Sequence, residues 1–470
     1  MQNQYDVGVL GAGPGGYVAA IRAAQMGARV LVVEKDELGG TCLNRGCIPT
    51  KALLSDVKAY QRVKTSPIFR GREGLSVDLG NMIGRKNRVV ETMTKGVGLL
   101  FQSNGITLVR GRGALTDSKT IEVTRDGKKE TCKARHVVIA TGSKPASIPN
   151  VTVDGKNILS SDEILNIQSL PKELLIIGGG VIGVEFATIF SGLGTKVTVV
   201  EMLPAIISTE DEHIVQGLRG LLERRGIRIL TETRVLGASL RKGKVEVTVQ
   251  DKAGKRQTLS AEKVLQAAGR TPNTEGLERL KLEMDGRFIK ANDRMETSTD
   301  HVYAIGDVIG KTMLAHAASA EGVVAVENIM GETRRIDYHR VPSCIYTFPE
   351  VASVGLTERQ AREKGFDIQT GVFPFQFNGK AIAIGEAEGF IKIIAEKEFG
   401  EILGIHILGE HATDLIGEGV TAMDLDGTIE DLGRVIKGHP TLSEALMEAA
   451  LDWSRIAIHL PKKKQGPCSP

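Results

Sequence analysis

The sequence predicts an α/β fold built on two copies of one βαβ unit, with a smaller α+β region after them. Three observations carry that prediction. A strand, a glycine-rich turn, a helix and a second strand follow one another twice along the chain. Each copy closes on an acid: Glu34 stands 23 positions after Gly11, and Glu201 stands 23 positions after Gly178. Beyond Pro342 the pattern changes to short β-branched runs bounded by glycine or polar residues, as antiparallel strands require. With 470 residues and 41% hydrophobic content the chain can bury more than one core, and three or four domains are expected.

In the first copy Val7-Gly8-Val9-Leu10 reads as a buried strand, followed by Gly11-Ala12-Gly13-Pro14-Gly15-Gly16. A helical run to Met26 then leads to the strand Arg29 to Val33, which ends at Glu34. In the second, Leu174-Leu175-Ile176-Ile177 precedes Gly178-Gly179-Gly180-Val181-Ile182-Gly183, and a helix leads to Lys196 through Val200 and Glu201. One offset of 167 superimposes Gly11, Gly13, Gly16, Gly27 and Glu34 on Gly178, Gly180, Gly183, Gly194 and Glu201. A lone G-x-G-x-x-G is weak evidence, but strand, helix and terminal acid complete the fingerprint of a Rossmann-like dinucleotide-binding domain. The glycines admit a pyrophosphate to the backbone and helix N-terminus, and the acid accepts the adenosine ribose hydroxyls. Glu201 is followed by Met202-Leu203-Pro204, with no arginine to receive a 2′-phosphate, so NAD(H) is favoured over NADP(H).

Just past Glu34 lies Gly39-Gly40-Thr41-Cys42-Leu43-Asn44-Arg45-Gly46-Cys47-Ile48-Pro49-Thr50-Lys51. The cysteine pair is either a staple or an electron relay. Closing so small a ring stabilises a fold by only about 2 kcal/mol, little for a chain of this size. On a regular helix, Cα atoms five residues apart lie roughly 8–9 Å from one another. That exceeds the limit of about 7 Å for a disulfide. Gly39, Gly40 and Gly46 supply the freedom to distort the turn, and Pro49 fits the first turn of a following helix. Cys47 then sits near a helix N-terminus, which favours a thiolate. A redox-active disulfide is the reading preferred over a structural one. Two dinucleotides beside such a pair imply a flavoprotein, with FAD in the first unit and NAD in the second.

The charge balance, 60 basic against 57 acidic residues, shows no bias toward nucleic acid or an anionic membrane, and Lys462-Lys463-Lys464 reads as a solvated tail. Five scattered cysteines do not make a secreted disulfide scaffold and fit a reducing compartment. No signal peptide and no bilayer-spanning apolar stretch is apparent, so a soluble, cytoplasmic protein is expected, with no metal site.

These motifs resemble the pyridine nucleotide-disulfide oxidoreductases from about Tyr5 to about Trp453. The likeness is greatest to the members that oxidise protein-bound dihydrolipoamide to lipoamide with NAD+, in 2-oxo-acid dehydrogenase complexes or glycine cleavage. Ala140-Thr141-Gly142-Ser143 resembles the family's second FAD contact, and Val302-Tyr303-Ala304-Ile305-Gly306-Asp307 its third, where the aspartate bonds the ribityl chain. Met313-Leu314-Ala315-His316 begins a helix whose positive end faces a reduced flavin, with His316 read as a packed residue of that turn rather than a chemical group. The resemblance implies FAD contacts at Gly11, Gly13, Gly16, Glu34, Lys51, Gly113, Thr141, Gly142, Ser143, Asp307, Met313, Leu314, Ala315 and His316. It implies NAD contacts at Gly178, Gly180, Gly183, Glu185, Glu201, Val235 and Gly269. It also implies that Cys42 is the interchange thiol, that Cys47 lies against the flavin, and that Lys51 pairs with Glu185. Ala268-Gly269-Arg270-Thr271-Pro272-Asn273 resembles the exit from the NAD domain. The expected domains are FAD-binding (1–145), NAD-binding (146–270), a central segment completing the FAD domain (271–341) and dimerisation (342–470).

In the last domain Phe390-Ile391-Lys392-Ile393-Ile394 and Gly404-Ile405-His406-Ile407-Leu408 read as strands of an antiparallel sheet, with helices near 412–424 and 442–456. Dithiol oxidation needs a base, because only the thiolate attacks a disulfide. His439-Pro440-Thr441-Leu442-Ser443-Glu444 offers a histidine with a carboxylate to fix its tautomer. Thr441-x-x-Glu444 also reads as a capping box opening a helix from Leu442 to Leu451. The resemblance makes His439 and Glu444 the acid-base pair, acting on the disulfide of the other subunit of a homodimer. Its partners would be lipoyl domains of the acyltransferase component or the glycine cleavage lipoyl carrier protein. Two features depart from the pattern: Lys437 stands where relatives carry a second histidine, and Cys468 stands alone in the tail, where it reads as inert.

Overall fold

A computed structural model describes residues 4–461; Cys468 and the Lys462-Lys463-Lys464 run lie outside the described residues. The chain forms two compact units, one comprising residues 1–178, 192–196 and 235–337, the other 179–191, 197–234 and 338–470.

The first unit is organised by a seven-stranded sheet. Gln4–Leu10 lies parallel to both Val30–Glu34 and Lys128–Ile139, and Val302–Ala304 adds a further parallel strand against Lys128–Ile139. The registers Leu10↔Val33, Leu10↔Ile139 and Ala304↔Ile139 bring four strand ends to one edge. Gly11, Glu34, Ala140 and Ile305 therefore begin their turns side by side, the place where open α/β sheets bind ligands. Val7, Val9, Val32 and Ile139 have no exposed surface, as central parallel strands require. Helix Pro14–Gln25 starts with proline at its first position and buries Ala19, Ala20 and Ala23. It packs on helix Ala315–Ile329 through glycine contacts, since a Cβ at Gly322 would lie 2.6 Å from Gly15 O. Elsewhere in this unit Lys263–Gln266 runs parallel to both Ile158–Ser160 and Glu173–Ile177.

The second unit holds helix Val181–Gly192 up to Ser191, strand Lys196–Val200 from Val197 onward in parallel register with Arg228–Leu230, and helix Glu212–Arg224. Its main layer is a five-stranded antiparallel sheet. The order is Ser343–Ile345, Glu350–Gly355, Ile402–Gly409, Phe390–Glu396 and Ile368–Pro374. Both strands expected at 390–394 and 404–408 are its buried centre. Helix Ala412–Asp424 matches its expected limits. The last helix is Glu444–Trp453 rather than Leu442 to Leu451. The later start has a local cause: Thr441 Oγ1 is turned to Gly438 O and Ser443 Oγ, so it does not cap the first turn. Only half of the expected box forms, with the Thr441 N–H donating to Glu444 Oε2. Among the described residues no helix is long and apolar enough to cross a membrane.

Candidate active site

Gly39 and Gly40 take φ of 88° and 57°, values open to glycine, and turn the chain into the short helix Gly40–Arg45. Gly46 breaks that helix with φ −138° and ψ −110°, and Cys47 opens the helix Cys47–Thr65 with Pro49 in its first turn. The two cysteines thus belong to different helices. A Cβ on Gly40 would lie 2.7 Å from Gly13 Cα, so the cysteine segment rests directly on the first glycine loop. Asn44 Nδ2 ties the short helix to Leu38 O and Gly40 O, both at 2.9 Å.

Cys42 and Cys47 are half-buried thiols. A hydrogen bond to Cys47, and then burial, push the Cys42 thiol far up, while the Lys51 charge pulls it down. Cys47 occupies the N-terminal, positive end of helix Cys47–Thr65, where a thiolate is favoured. Lys51 lies one turn into the same helix.

At the strand edge the two copies of the repeat match atom by atom. Glu34 Oε2 accepts Ala12 N–H at 2.6 Å and Oε1 accepts Asp36 N–H at 2.8 Å. Glu201 Oε2 accepts Gly179 N–H at 2.6 Å and Oε1 accepts Leu203 N–H at 2.7 Å, the same partners shifted by the offset. A Cβ on Gly11 would lie 2.3 Å from Ala140 O, and one on Gly178 would lie 2.4 Å from Ala267 O. A Cβ on Gly16 would meet Gly11 O at 1.9 Å. These glycines are required by the turn itself. Gly180 and Gly142 face open space, which suits close approach of a ligand. Each carboxylate keeps a lone pair per oxygen for ribose hydroxyls.

Beside the first copy, Thr141 and Asn273 exchange hydrogen bonds at 2.6 and 3.0 Å. Ser143 Oγ donates to Asp307 Oδ2, and Arg270 Nε reaches Ser143 Oγ at 2.6 Å and Asp307 Oδ2 at 3.6 Å. Arg270 also touches Thr41 Oγ1 at 3.4 Å, next to Cys42. Arg270 thus joins the cysteine segment to Ser143 and Asp307, a role that its sequence motif, read only as a domain exit, did not reveal. Gly113 packs on the strand ends, where a Cβ would lie 2.3 Å from Leu10 Cδ1. Leu314 caps helix Ala315–Ile329 without a side-chain bond, leaving its first turn open beside exposed Met313. His316 corrects the expectation of a packed residue: it is exposed, because Ala317 and Ala318 take the inward positions of that turn. Sequence reasoning also missed an apolar cavity of about 770 Å³ lined by Tyr17, Leu43 and helix residues such as Met93, Val97 and Leu100. Burial, and then its neighbour Cys42, push the Tyr17 hydroxyl upward, and Leu43, which follows Cys42 in the chain, lines the same cavity.

The glycine turns, the paired acids and Asp307 fit two dinucleotides. Of the remaining expected contacts, Val235 lies in strand Thr233–Arg241, and Gly269 has φ 93° with open space around it. Gly183 and Glu185 are buried in helix Val181–Gly192, where Glu185 Oε1 accepts the Tyr346 N–H at 3.0 Å.

The second constellation forms at the last helix. His439 Nδ1 lies 2.8 Å from Glu444 Oε1, while Glu444 Oε2 accepts Thr441 N–H at 2.8 Å. Burial raises the Glu444 carboxyl, but the Thr441 N–H and His439 outweigh it and hold the group below its ordinary value. The carboxylate is fixed at both oxygens, and the His439 side chain is 78% exposed, with Nε2 free of this pairing. Lys437 does not join the pair; its ammonium is buried against Glu418.

Residues 5–322 match the family model for pyridine nucleotide-disulphide oxidoreductases, and residues 341–450 match the dimerisation domain of the same family. The chain is 43% identical over 474 residues to a dihydrolipoyl dehydrogenase of Bacillus subtilis, covering 98% of this chain and 100% of that one. It is 44% identical over 467 residues to the mitochondrial dihydrolipoyl dehydrogenase of Pisum sativum, with 97% and 93% covered. The crystal structure of LpdA from Mycobacterium tuberculosis superimposes with a TM-score of 0.88 at 27% identity, covering 95% of this chain and 99% of that one. The glycine repeat, the cysteine turn and the histidine–glutamate pair are the parts of a chain that belongs to the pyridine nucleotide-disulphide oxidoreductase family.

Proposed function

We propose that this flavoprotein oxidises protein-bound dihydrolipoamide to lipoamide with NAD+ as acceptor. The observation that carries the reading is the joint presence of the Cys42–Cys47 turn and the His439–Glu444 pair in a chain about 43% identical, end to end, to dihydrolipoyl dehydrogenases.

Each residue has a task that its surroundings suit. With its Nδ1 proton held by Glu444, His439 presents Nε2 to remove a thiol proton from the substrate. The thiolate attacks Cys42 Sγ of the oxidised pair; the S–S bond breaks and Cys47 leaves as the thiolate. The second substrate sulfur, once deprotonated, displaces Cys42, closing the lipoamide disulfide and leaving Cys42 to take a proton. The apolar cavity at Tyr17 and Leu43 receives the hydrocarbon part of the substrate beside Cys42. Gly11, Gly13, Gly16, Glu34, Ser143 and Asp307 would hold FAD, and Gly180, Gly183 and Glu201 would hold NAD. These groups supply the two-electron relay that no side chain provides. Lys51 places a positive charge near the thiol pair, with Glu185 as its expected partner.

The domain limits 1–145, 146–270, 271–341 and 342–470 belong to the same proposal, as does the homodimer in which His439 serves the cysteines of the other subunit. The dimerisation-domain match supports it. Lipoyl domains of an acyltransferase or the glycine cleavage carrier are the proposed partners, and the cytoplasm the proposed compartment. Steady-state turnover decides the assignment: dihydrolipoamide with NAD+ should be the efficient pair. Faster reduction of glutathione disulfide by NADPH would overturn it.

A further inference from the structure

We propose that Lys392 is a positioning residue for the nucleotide site: from inside the antiparallel sheet it clamps the ten-residue segment that follows Glu201. The inference rests on the reading of Glu201 as the ribose acid. Lys392 is buried, and its ammonium lies 2.8 Å from Asp211 Oδ1 and 2.7 Å from Glu358 Oε2. Asp211, 1% exposed, also accepts the His213 N–H at 3.1 Å on Oδ1 and the Glu358 N–H at 3.0 Å on Oδ2. Its neighbour Glu210 is held as firmly, with Ser343 Oγ at 2.8 Å on one oxygen and Ser353 Oγ at 2.6 Å on the other. Both carboxylates of this corner are thereby tied to the sheet or its flanking turn.

The other end of the segment is tied to the glycine loop. Glu201 Oε2 accepts the Gly179 N–H at 2.6 Å, and Ile207 returns its own N–H to Gly179 O at 2.9 Å. Ile207 does so at φ 39°, a left-handed conformation that a β-branched residue avoids. Such strain persists where the surroundings over-determine it, and it marks functional sites. Here the surroundings are the glycine loop on one side and the corner at Glu210 on the other, joined by Glu210 N–H to Ile207 O at 3.0 Å. A buried ion pair is a poor way to gain stability, because desolvation offsets the attraction, and in some systems its use is to fix a register or position, the role proposed for this one. His406, fully buried on the adjoining strand, bonds Leu356 O at 3.0 Å and stays neutral beside this cluster, since burial pushes its pKa down. The charges that remain, on Lys392, Asp211 and Glu358, set the position of the segment and hence of Glu201.

The test compares wild type, Lys392→Arg, Lys392→Met and Lys392→Met/Asp211→Asn in the FAD-loaded protein. The double variant removes both charges of the pair and guards against misfolding of the single one. Calorimetric binding of ADP-ribose reads the nucleotide site, and anaerobic flavin reduction by dihydrolipoamide without NAD reads the dithiol half. We expect the ADP-ribose Kd to rise about tenfold in both methionine variants, with partial recovery in the arginine variant. Flavin reduction should stay within about twofold of wild type. An unchanged ADP-ribose Kd in the folded double variant, or an equal fall in both readouts, would overturn the proposal. Failure of the wild type itself to bind ADP-ribose would overturn the nucleotide-site reading, and the clamp with it.

Discussion

Replacing Glu444 by glutamine should slow dithiol chemistry while leaving electron flow between flavin and nicotinamide intact. The carboxylate satisfies two donors at once, His439 Nδ1 through Oε1 and the Thr441 N–H through Oε2, each at 2.8 Å. A carboxamide has one oxygen, so one of those donors must face an NH2 group. Losing a hydrogen bond to a charged partner costs about 1.5–3 kcal/mol. If that loss falls on the transition state, kcat for dihydrolipoamide oxidation drops about 10- to 150-fold. Oxidation of NADH by ferricyanide bypasses the cysteines and should remain near the wild-type rate. The pH dependence has a definite sign. The folded carboxyl is held below its ordinary value, so its contribution to stability is present above the unfolded pKa and fades as pH falls through the folded one. Glu444 is therefore ionised throughout the neutral range, and the variant should lose rate there at every pH. A fall of less than about threefold, or an equal loss with ferricyanide, would refute the assignment of this pair.

The two cysteines should be distinguishable by colour: Cys42→Ser should abolish dithiol oxidation yet keep a long-wavelength charge-transfer band from the Cys47 thiolate to the oxidised flavin. Finding that band only in Cys47→Ser would reverse their roles. With Glu201 as the proposed ribose acid, a carboxylate that would repel a 2′-phosphate, kcat/KM with NAD+ should exceed that with NADP+ by at least about tenfold, and parity would sink the nucleotide assignment. Burial depresses the pKa of His406, so the unfolded chain binds a proton below about 6.5 that the folded one refuses. Stability from this source is present above that pH and is lost as pH falls. Urea midpoints of His406→Gln should decline less than wild type between neutral and mildly acidic pH, and identical slopes would contradict the argument.

The repeated unit was legible because its determinants are local. A turn that would drive a Cβ on Gly11 to 2.3 Å from Ala140 O admits only glycine, and the same demand recurs at Gly178. The offset even carries over to the hydrogen bonds of Glu34 and Glu201. The break between the cysteines was legible for the same reason, since Gly46 is the residue that interrupts the helix. Arg270 was not, because its partners Ser143, Asp307 and Thr41 lie far away in the chain. Nor was Lys392: within Phe390-Ile391-Lys392-Ile393-Ile394 it is a lone charge in an apolar run, and only tertiary packing supplies Asp211 and Glu358. The last helix began late because Thr441 found Gly438 O and Ser443 Oγ, a competition between side-chain bonds that spacing cannot rank.

A mixed dimer tests the central claim most directly: that Cys42 and Cys47 of one chain work with His439 of the partner subunit. A Cys47→Ser chain is paired with a His439→Gln chain, and dihydrolipoamide oxidation is measured in verified heterodimers. Each parent homodimer should be nearly inactive, since every site lacks either the cysteine pair or the base. The heterodimer should recover about half the wild-type rate, because one of its two sites is whole. No recovery would mean that His439 acts within its own chain or only shapes the start of the last helix.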